Sequence, residues 1–294
     1  MLLWIGLSIV ILGAAAIAYG VFVERRWYRV GRYRLDILPA GTSSLSVLHL
    51  SDLHMLHGDR RASRFIASLP ETDIAIVTGD IVGEPEAVEF TVEALRPSRG
   101  RLASLFVLGS NDLYVPRRLN WFRYFRPKVR HAHMARRSGR SAELVRQLES
   151  DGWVHLKNRK LERTSDGIKL EIVGLDDPHI HRADIRVATR RDPAAFGLAV
   201  VHSPDPTPEL ASLGYDLIVA GHTHGGQVRL PIAGALVTNS SFPTRLASGL
   251  MRFGRAYVHV SPGMGTSKYA PFRFLCRPEA TVLELRPAAQ AKAA

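Results

Sequence analysis

Five apolar, β-branched runs in this chain each stop at a carboxylate, an imidazole or an amide. Residues 45–50 lead into Asp52 and His54, and residues 74–78 into Gly79 and Asp80. Residues 102–108 lead into Gly109, Ser110, Asn111 and Asp112, residues 198–201 into His202, and residues 217–220 into Gly221, His222, Thr223 and His224. Such placement is what an α/β sheet produces when a site is assembled in the loops at the carboxyl ends of its strands. Further strand-like runs at 170–174, 257–260 and 281–285 alternate with helical patterns at 62–69, 86–95, 142–149 and 208–213. The alternation predicts an α/β fold with sheets covered by helices.

Asp52/His54 and His222/His224 stand at alternating positions, which point the same way in an extended segment and suit joint ligation of a metal. Glycine before Asp80, Ser110 and His222 permits sharp turns and close approach. Taken singly, Asp-x-His or Gly-Asp is an ordinary turn or cap; the constellation at successive strand ends carries the signal. Asp and His ligands without Cys suit Mn, Fe or Zn, and they outnumber what one tetrahedral ion needs, so two divalent metal ions are implied. The lone Cys276 excludes a disulfide scaffold and a Cys-based zinc site.

The order D-x-H, GD, GSND, H, GHxH, with the phrases SDLH, TGD, VHSPD and GHTHGGQVRLP, resembles the calcineurin-like metallophosphoesterases over roughly residues 45–285. Together with SPGMGTSKYAPFRFLCRPE, it is most similar to the membrane-anchored branch that includes UDP-2,3-diacylglucosamine pyrophosphatases. The resemblance implies a four-layer αββα sandwich. It further implies that Asp52, His54 and His224 hold one metal, that Asp80 bridges, and that Asn111, His202 and His222 hold the second. A hydroxide shared by the two ions would attack phosphorus in line. The chain departs from the family at Gly109-Ser110-Asn111-Asp112, where the family has GNH. Either Asn111 or Ser110 is then the ligand; Asn111 is favoured because an amide oxygen suits a hard cation. The family's histidine after Asn is missing, which leaves Asp112 and His57 as candidate proton donors.

Residues 2–23 carry no charge and would span about 33 Å as a helix at ~1.5 Å per residue, enough to cross a bilayer. No basic side chain precedes the run, unlike a cleaved signal peptide, while Arg25 and Arg26 follow it. The positive-inside rule then predicts a single-pass inner-membrane protein with a cytoplasmic catalytic domain. The expected organisation is an anchor at 1–24, a basic juxtamembrane linker and first strand at 25–44, a catalytic domain at 45–287 and a frayed Ala-rich tail at 288–294.

The net charge of +12 is regional. Nine Lys or Arg lie between 113 and 142, and five (Arg25, Arg26, Arg29, Arg32, Arg34) follow the apolar run; the rest of the chain carries about −2. A long basic groove is therefore absent and a nucleic-acid substrate is not expected. The insertion at 115–140 mixes arginines with Trp121, Phe122, Tyr124 and Phe125, which suits either an anionic lipid surface or a solvated face whose aromatics pack on the domain. Asp176, Asp177, His179 and His181 resemble extra ligands, but Asp-Asp-Pro after a strand is also a turn formula, and a structural role is expected. His49 reads as a core histidine, and Tyr269, Arg273 and Cys276 as possible pocket lining. The expected activity is hydrolysis of a phosphoester or pyrophosphate in a lipid-linked or nucleotide-linked substrate. The alternatives are a tethered phosphodiesterase for soluble substrates and a catalytically weak metal-binding scaffold.

Overall fold

The computed structural model describes residues 1–115 and 140–288. The aromatic–arginine core of the insertion and the tail beyond 288 lie outside the described residues. The chain opens with helix α1 (Leu2–Ala18), which continues through single turns at Tyr19–Val23 and Glu24–Arg26. Within this 25-residue segment an 18-residue stretch has a mean hydropathy of 2.3, and the segment is long and apolar enough to cross a membrane. There follow β1 (Arg29–Leu38), β2 (Leu45–Leu50), α2 (Arg60–Ala67), β3 (Ile74–Thr78), α3 (Val88–Leu95) and β4 (Ala103–Val107). Next come α4 (Ser110–Leu113), α5 (Ser141–Ser150), β5 (Val154–His155), β6 (Arg159–Ser165), β7 (Ile168–Gly174), β8 (Phe196–Val200), α6 (Thr207–Ser212) and β9 (Leu217–Ala220). The hairpin β10 (Arg229–Leu230) and β11 (Gly234–Ala235) precedes β12 (Gly249–Phe253), β13 (Ala256–Val260) and β14 (Glu279–Pro287).

Two six-stranded mixed sheets form, in the orders β1-β14-β2-β3-β4-β5 and β12-β13-β9-β8-β7-β6. Alternation along the strands decides which sheet face each residue covers. Val47, Ile76, Leu105, Ile172, Leu198, Val219 and Leu283 interdigitate between the sheets. Leu48, Leu50, Val77 and Phe106 face outward, beneath Ile66 of α2, Val92 and Leu95 of α3 and Leu148 of α5. Beyond the second sheet, Ile218 and Val258 are covered by Leu210 of α6 and by Ala188 of the short turn Ile185–Ala188. The architecture is a four-layer α/β sandwich whose fourth layer is thin. Each fully buried Leu, Ile or Val contributes about 2 kcal/mol of burial, and the layer between the sheets is built largely of them.

The central strands β2, β3 and β4 run parallel, as do β7, β8, β9 and β13. Their carboxyl ends therefore collect at one edge of each sheet, where the polar residues were expected. Helix α1 is fastened close to that edge. Glu24, 1% exposed, accepts the backbone N–H of Leu275 at 2.9 Å and also that of Cys276. Gly20 lies so close to Phe272 and the Arg273 carbonyl that a Cβ there would clash, and its own carbonyl accepts the Arg273 N–H at 3.3 Å.

Candidate metal centre

The ligand-bearing loops are strained where they turn. Asp52, His54, Asp80, His222 and His224 all have φ between +42° and +68°, a region that costs a non-glycine residue about 1 kcal/mol or more and that clusters at functional sites. The sequence suggested that Asp52 and His54 lie on an extended segment. They do not: the Asp52 N–H bonds to the Gly79 carbonyl at 3.0 Å and the His54 N–H to that of Asp80 at 2.9 Å, which folds the loop back on the end of β3. The glycines permit this crowding, since a Cβ at Gly221 would collide with Ser51 and Asp52 and one at Gly109 with Asp80 and His202.

Asp52, His54, Asp80 and His224 place one ligand atom each within 4.8 Å of one another, a set that could hold a metal ion. The Nε2 atoms of His54 and His224 are 3.2 Å apart, His54 Nε2 is 3.6 Å from Asp80 Oδ2, and His224 Nε2 is 3.6 Å from Asp52 Oδ1. On the other side of Asp80, Oδ1 lies 3.6 Å from His202 Nε2, which is 3.2 Å from His222 Nδ1. The Asn111 side-chain amide bonds to Asp80 Oδ2 and its backbone N–H to Oδ1 at 2.9 Å. Asp80 thus stands between two groups: one of Asp52, His54 and His224, the other of Asn111, His202 and His222.

The donor set fits divalent cations on three observations. Asp52 Oδ2 accepts from Ser51 Oγ at 2.6 Å and from the His222 N–H at 2.9 Å, while Oδ1, buried and pointed at His224, has no hydrogen-bond partner. His202 Nδ1 must donate to the Thr78 carbonyl at 2.7 Å and His222 Nε2 to the Asn239 carbonyl at 3.2 Å, so in the neutral rings two lone pairs face each other across 3.2 Å. Only a shared proton or a cation relieves that pair. Finally, among the described residues no Lys or Arg pairs with Asp52 or Asp80, although both are buried.

The electrostatics express the same deficit of positive charge. Burial pushes the Asp52 carboxyl up to about 6, although the His202 imidazole opposes it. Burial would also raise Asp80, but the imidazoles of His202 and His54 and the Asn111 N–H hold it well below the usual carboxylate range. Burial tends to lower His202, yet the carboxylates of Asp80, Asp177 and Asp52 lift it to about 9. His54, His222 and His224 are all lowered, first by burial, which the opposing charge of Asp80 does not offset, and this keeps them neutral and fit to ligate.

The two candidate proton donors are placed differently. Asp112 is buried, and its carboxylate accepts the backbone N–H groups of Ile81 (2.7 Å), Val82 (3.0 Å) and Gly109 (2.9 Å), bracing the Asp80 loop against the Asn111 loop. His57 is exposed, with its ring edge-on to Phe90 at 6.1 Å. His49 is more than a core residue: it joins the sheets through His259 (2.8 Å) and bonds Thr78 Oγ1 (2.8 Å), which donates to Ser51 Oγ (2.7 Å) behind Asp52. Arg273 is fully buried and donates to the carbonyls of Pro262, Gly263, Gly265 and Cys276. Cys276 Sγ donates to the His224 carbonyl at 3.3 Å, whereas Tyr269 is half-buried in the same stretch.

Two residues set aside as turn formers come to the site. The His179 ring packs on that of His222 with centroids 4.3 Å apart, and Asp177, which caps the same turn through the His179 N–H at 2.8 Å, keeps a buried Oδ2 without a partner. Asp176 instead pairs with Arg182 at 2.9 Å. The signal for Asp177 and His179 was their place directly beyond the end of β7, the rule that marked the other five loops.

Known proteins carry related sequences. The family model described as calcineurin-like phosphoesterase matches residues 45–226. The metallophosphoesterase YkuE of Bacillus subtilis is 24% identical over 85% of this chain and 82% of its own length. The phosphodiesterase YaeI of Escherichia coli is 25% identical over 92% of this chain and 93% of its own. The UDP-2,3-diacylglucosamine pyrophosphatase LpxG of Chlamydia trachomatis is 28% identical over 80% and 82%. A match over more than half the chain, on a two-sheet fold whose candidate Asp and His ligands converge, makes this protein a member of the calcineurin-like phosphoesterases and a metallophosphoesterase that hydrolyses phosphoester bonds.

Proposed function

We propose that the chain is a two-metal hydrolase of a lipid-linked or nucleotide-linked phosphodiester or pyrophosphate, held at the inner face of a membrane by α1. The observation that carries this reading is the pair of ligand groups on either side of Asp80, together with Glu24, which ties the end of the apolar helix to Cys276 beside His224. Asp52, His54 and His224 would hold one cation, Asn111, His202 and His222 the other, and Asp80 would bridge. Two divalent cations held there would supply Lewis-acid activation of water and would neutralise charge on the phosphoryl oxygens.

The protein's own part is preorganisation. Ser51 and the His222 N–H fix one oxygen of Asp52 so that the other faces inward, and the carbonyls of Thr78 and Asn239 set the tautomers of His202 and His222. With Asp112 committed to three backbone N–H groups and His57 exposed, no imidazole follows Asn111 to protonate an alkoxide. A leaving group that departs as a stable anion, a phosphate or a phenolate, is favoured. The relatives named for a pyrophosphatase and a phosphodiesterase support the same substrate class.

Aryl phosphomonoesters, aryl phosphodiesters and sugar-nucleotide lipids should be assayed side by side on the purified full chain with Mn or Zn. Turnover of the diesters or pyrophosphates above the monoesters is expected; a preference for simple monoesters would overturn the reading.

A further inference from the structure

Outside α1, the described residues include a stretch that is both uncharged and largely outward-facing. Residues 230–244 carry no charge and are bounded by Arg229 and Arg245. They begin with the β10–β11 hairpin, whose tip holds Ile232 fully exposed and whose flanks leave Leu230, Leu236 and Val237 39–50% exposed. Ile232 has φ +70°, a conformation that a β-branched residue rarely adopts, so the turn holds this aliphatic side chain in water at a conformational cost. A soluble domain gains nothing from that arrangement.

The hairpin is joined to the base of the anchor. The Arg229 N–H bonds to the Phe274 carbonyl at 2.9 Å, and the Phe274 N–H to that of Gln227 at 3.0 Å. The Phe274 ring meets Tyr19 edge-on at 6.3 Å, one residue before the Gly20 carbonyl that accepts the Arg273 N–H. At ~3.3 Å per residue, the tip lies within about 15 Å of Phe274 along the strand. The stretch also adjoins the metal centre: the turn His224–Gly226 precedes it by a few residues, and its Asn239 carbonyl holds His222.

We propose that the hairpin tip enters the apolar layer of the bilayer beside the anchor helix, a second membrane contact that fixes the metal-site loops against the lipid surface. Arg26 and Arg245, both exposed, flank the two apolar elements and suit anionic headgroups. This inference rests on the reading that α1 spans the membrane.

The test uses the full chain reconstituted in vesicles of phosphatidylcholine and phosphatidylglycerol carrying acyl-chain quenchers. A thiol-linked, environment-sensitive fluorophore is placed in separate variants at Ile232→Cys, at Leu12→Cys within the anchor, and at Arg163→Cys on the far edge strand β6; native Cys276 is buried. Blue-shifted emission quenched several-fold more strongly at 232 and 12 than at 163 is expected. Quenching at 12 with 232 behaving like 163 would overturn the hairpin contact and leave the anchor standing. Quenching at neither 12 nor 232 would overturn both. A blue shift at 232 that is insensitive to the lipid quenchers and grows with protein density would mean that a second copy covers the hairpin, and would also overturn the proposal. Ile232→Glu should leave hydrolysis of a water-soluble aryl phosphodiester unchanged while abolishing insertion of the tip, read as loss of quenching from a fluorophore at Leu230→Cys.

Discussion

Asp112 turns its carboxylate back onto the Gly109 N–H at 2.9 Å, so the residue after Asn111 holds its own loop closed. The opposite oxygen takes the N–H groups of Ile81 and Val82, next to Asp80, and one buried carboxylate thereby locks two ligand loops in register. Asp112→Ala should strand three buried donors and lower stability by about 2–4 kcal/mol, with Asp112→Asn costing less. Burial, aided by the Asp80 charge, raises this carboxyl to about 7, which would suit a proton donor, but the geometry assigns it to bracing. A series of aryl and alkyl phosphodiesters separates the roles. Asp112→Asn should slow all members by a similar factor, while the parent enzyme shows a steep fall in rate as leaving-group pKa rises. A loss confined to poor leaving groups would instead make Asp112 the acid.

Asp80 lies 3.6 Å from both His54 and His202, one on each side. Asp80→Ala should lower kcat/KM by at least about a thousandfold, about 4 kcal/mol of transition-state stabilisation. The near-isosteric Asp80→Asn should do nearly the same while circular dichroism reports an unchanged fold.

The charge on His202 sets a pH trend in the metal-free chain. Its folded-state value of about 9 lies above the ordinary 6.5, because three carboxylates outweigh burial. The stability it contributes is fully present below pH 6.5 and is lost as pH rises through about 9. Thermal unfolding in chelator should therefore weaken across that window. Saturating Mn should reverse the trend, since a cation then replaces the imidazolium proton and binds more tightly as that proton becomes easier to remove. Tm values that rise with pH in chelator would contradict the assigned charge.

Glu24 accepts two backbone N–H groups at the end of the apolar N-terminal helix. Glu24→Gln keeps one acceptor but turns a donor toward those groups, and should cost about 1–3 kcal/mol locally. Faster labelling of buried Cys276 by a thiol reagent is the expected sign of that opening. Unchanged labelling would mean that the helix end is held by Gly20 and Phe272 alone.

The buried parallel strands were legible: β2, β3 and β9 fall on the apolar runs of the sequence because both of their faces are covered. The edge strands β5, β6 and β12 were not marked, whereas β1 lies within the 25–44 segment expected to hold the linker and the first strand. β6, for instance, reads RKLERTS, since an edge strand with an exposed face needs little apolar side chain. The positions expected to ligate stood out in the sequence, but the left-handed turns at Asp52 and His54 did not, because bonds to Gly79 and Asp80 from a neighbouring strand impose them. Asp177 and His179 were hidden by a turn formula that they satisfy while also facing the site.

Anomalous diffraction from Mn-loaded crystals would show whether a pair of cations sits on either side of Asp80. Two peaks are expected, one among Asp52, His54, Asp80 and His224 and one among Asp80, Asn111, His202 and His222, with activity lost on chelation and restored by Mn. A single peak, or hydrolysis that persists in the fully chelated enzyme, would contradict that arrangement.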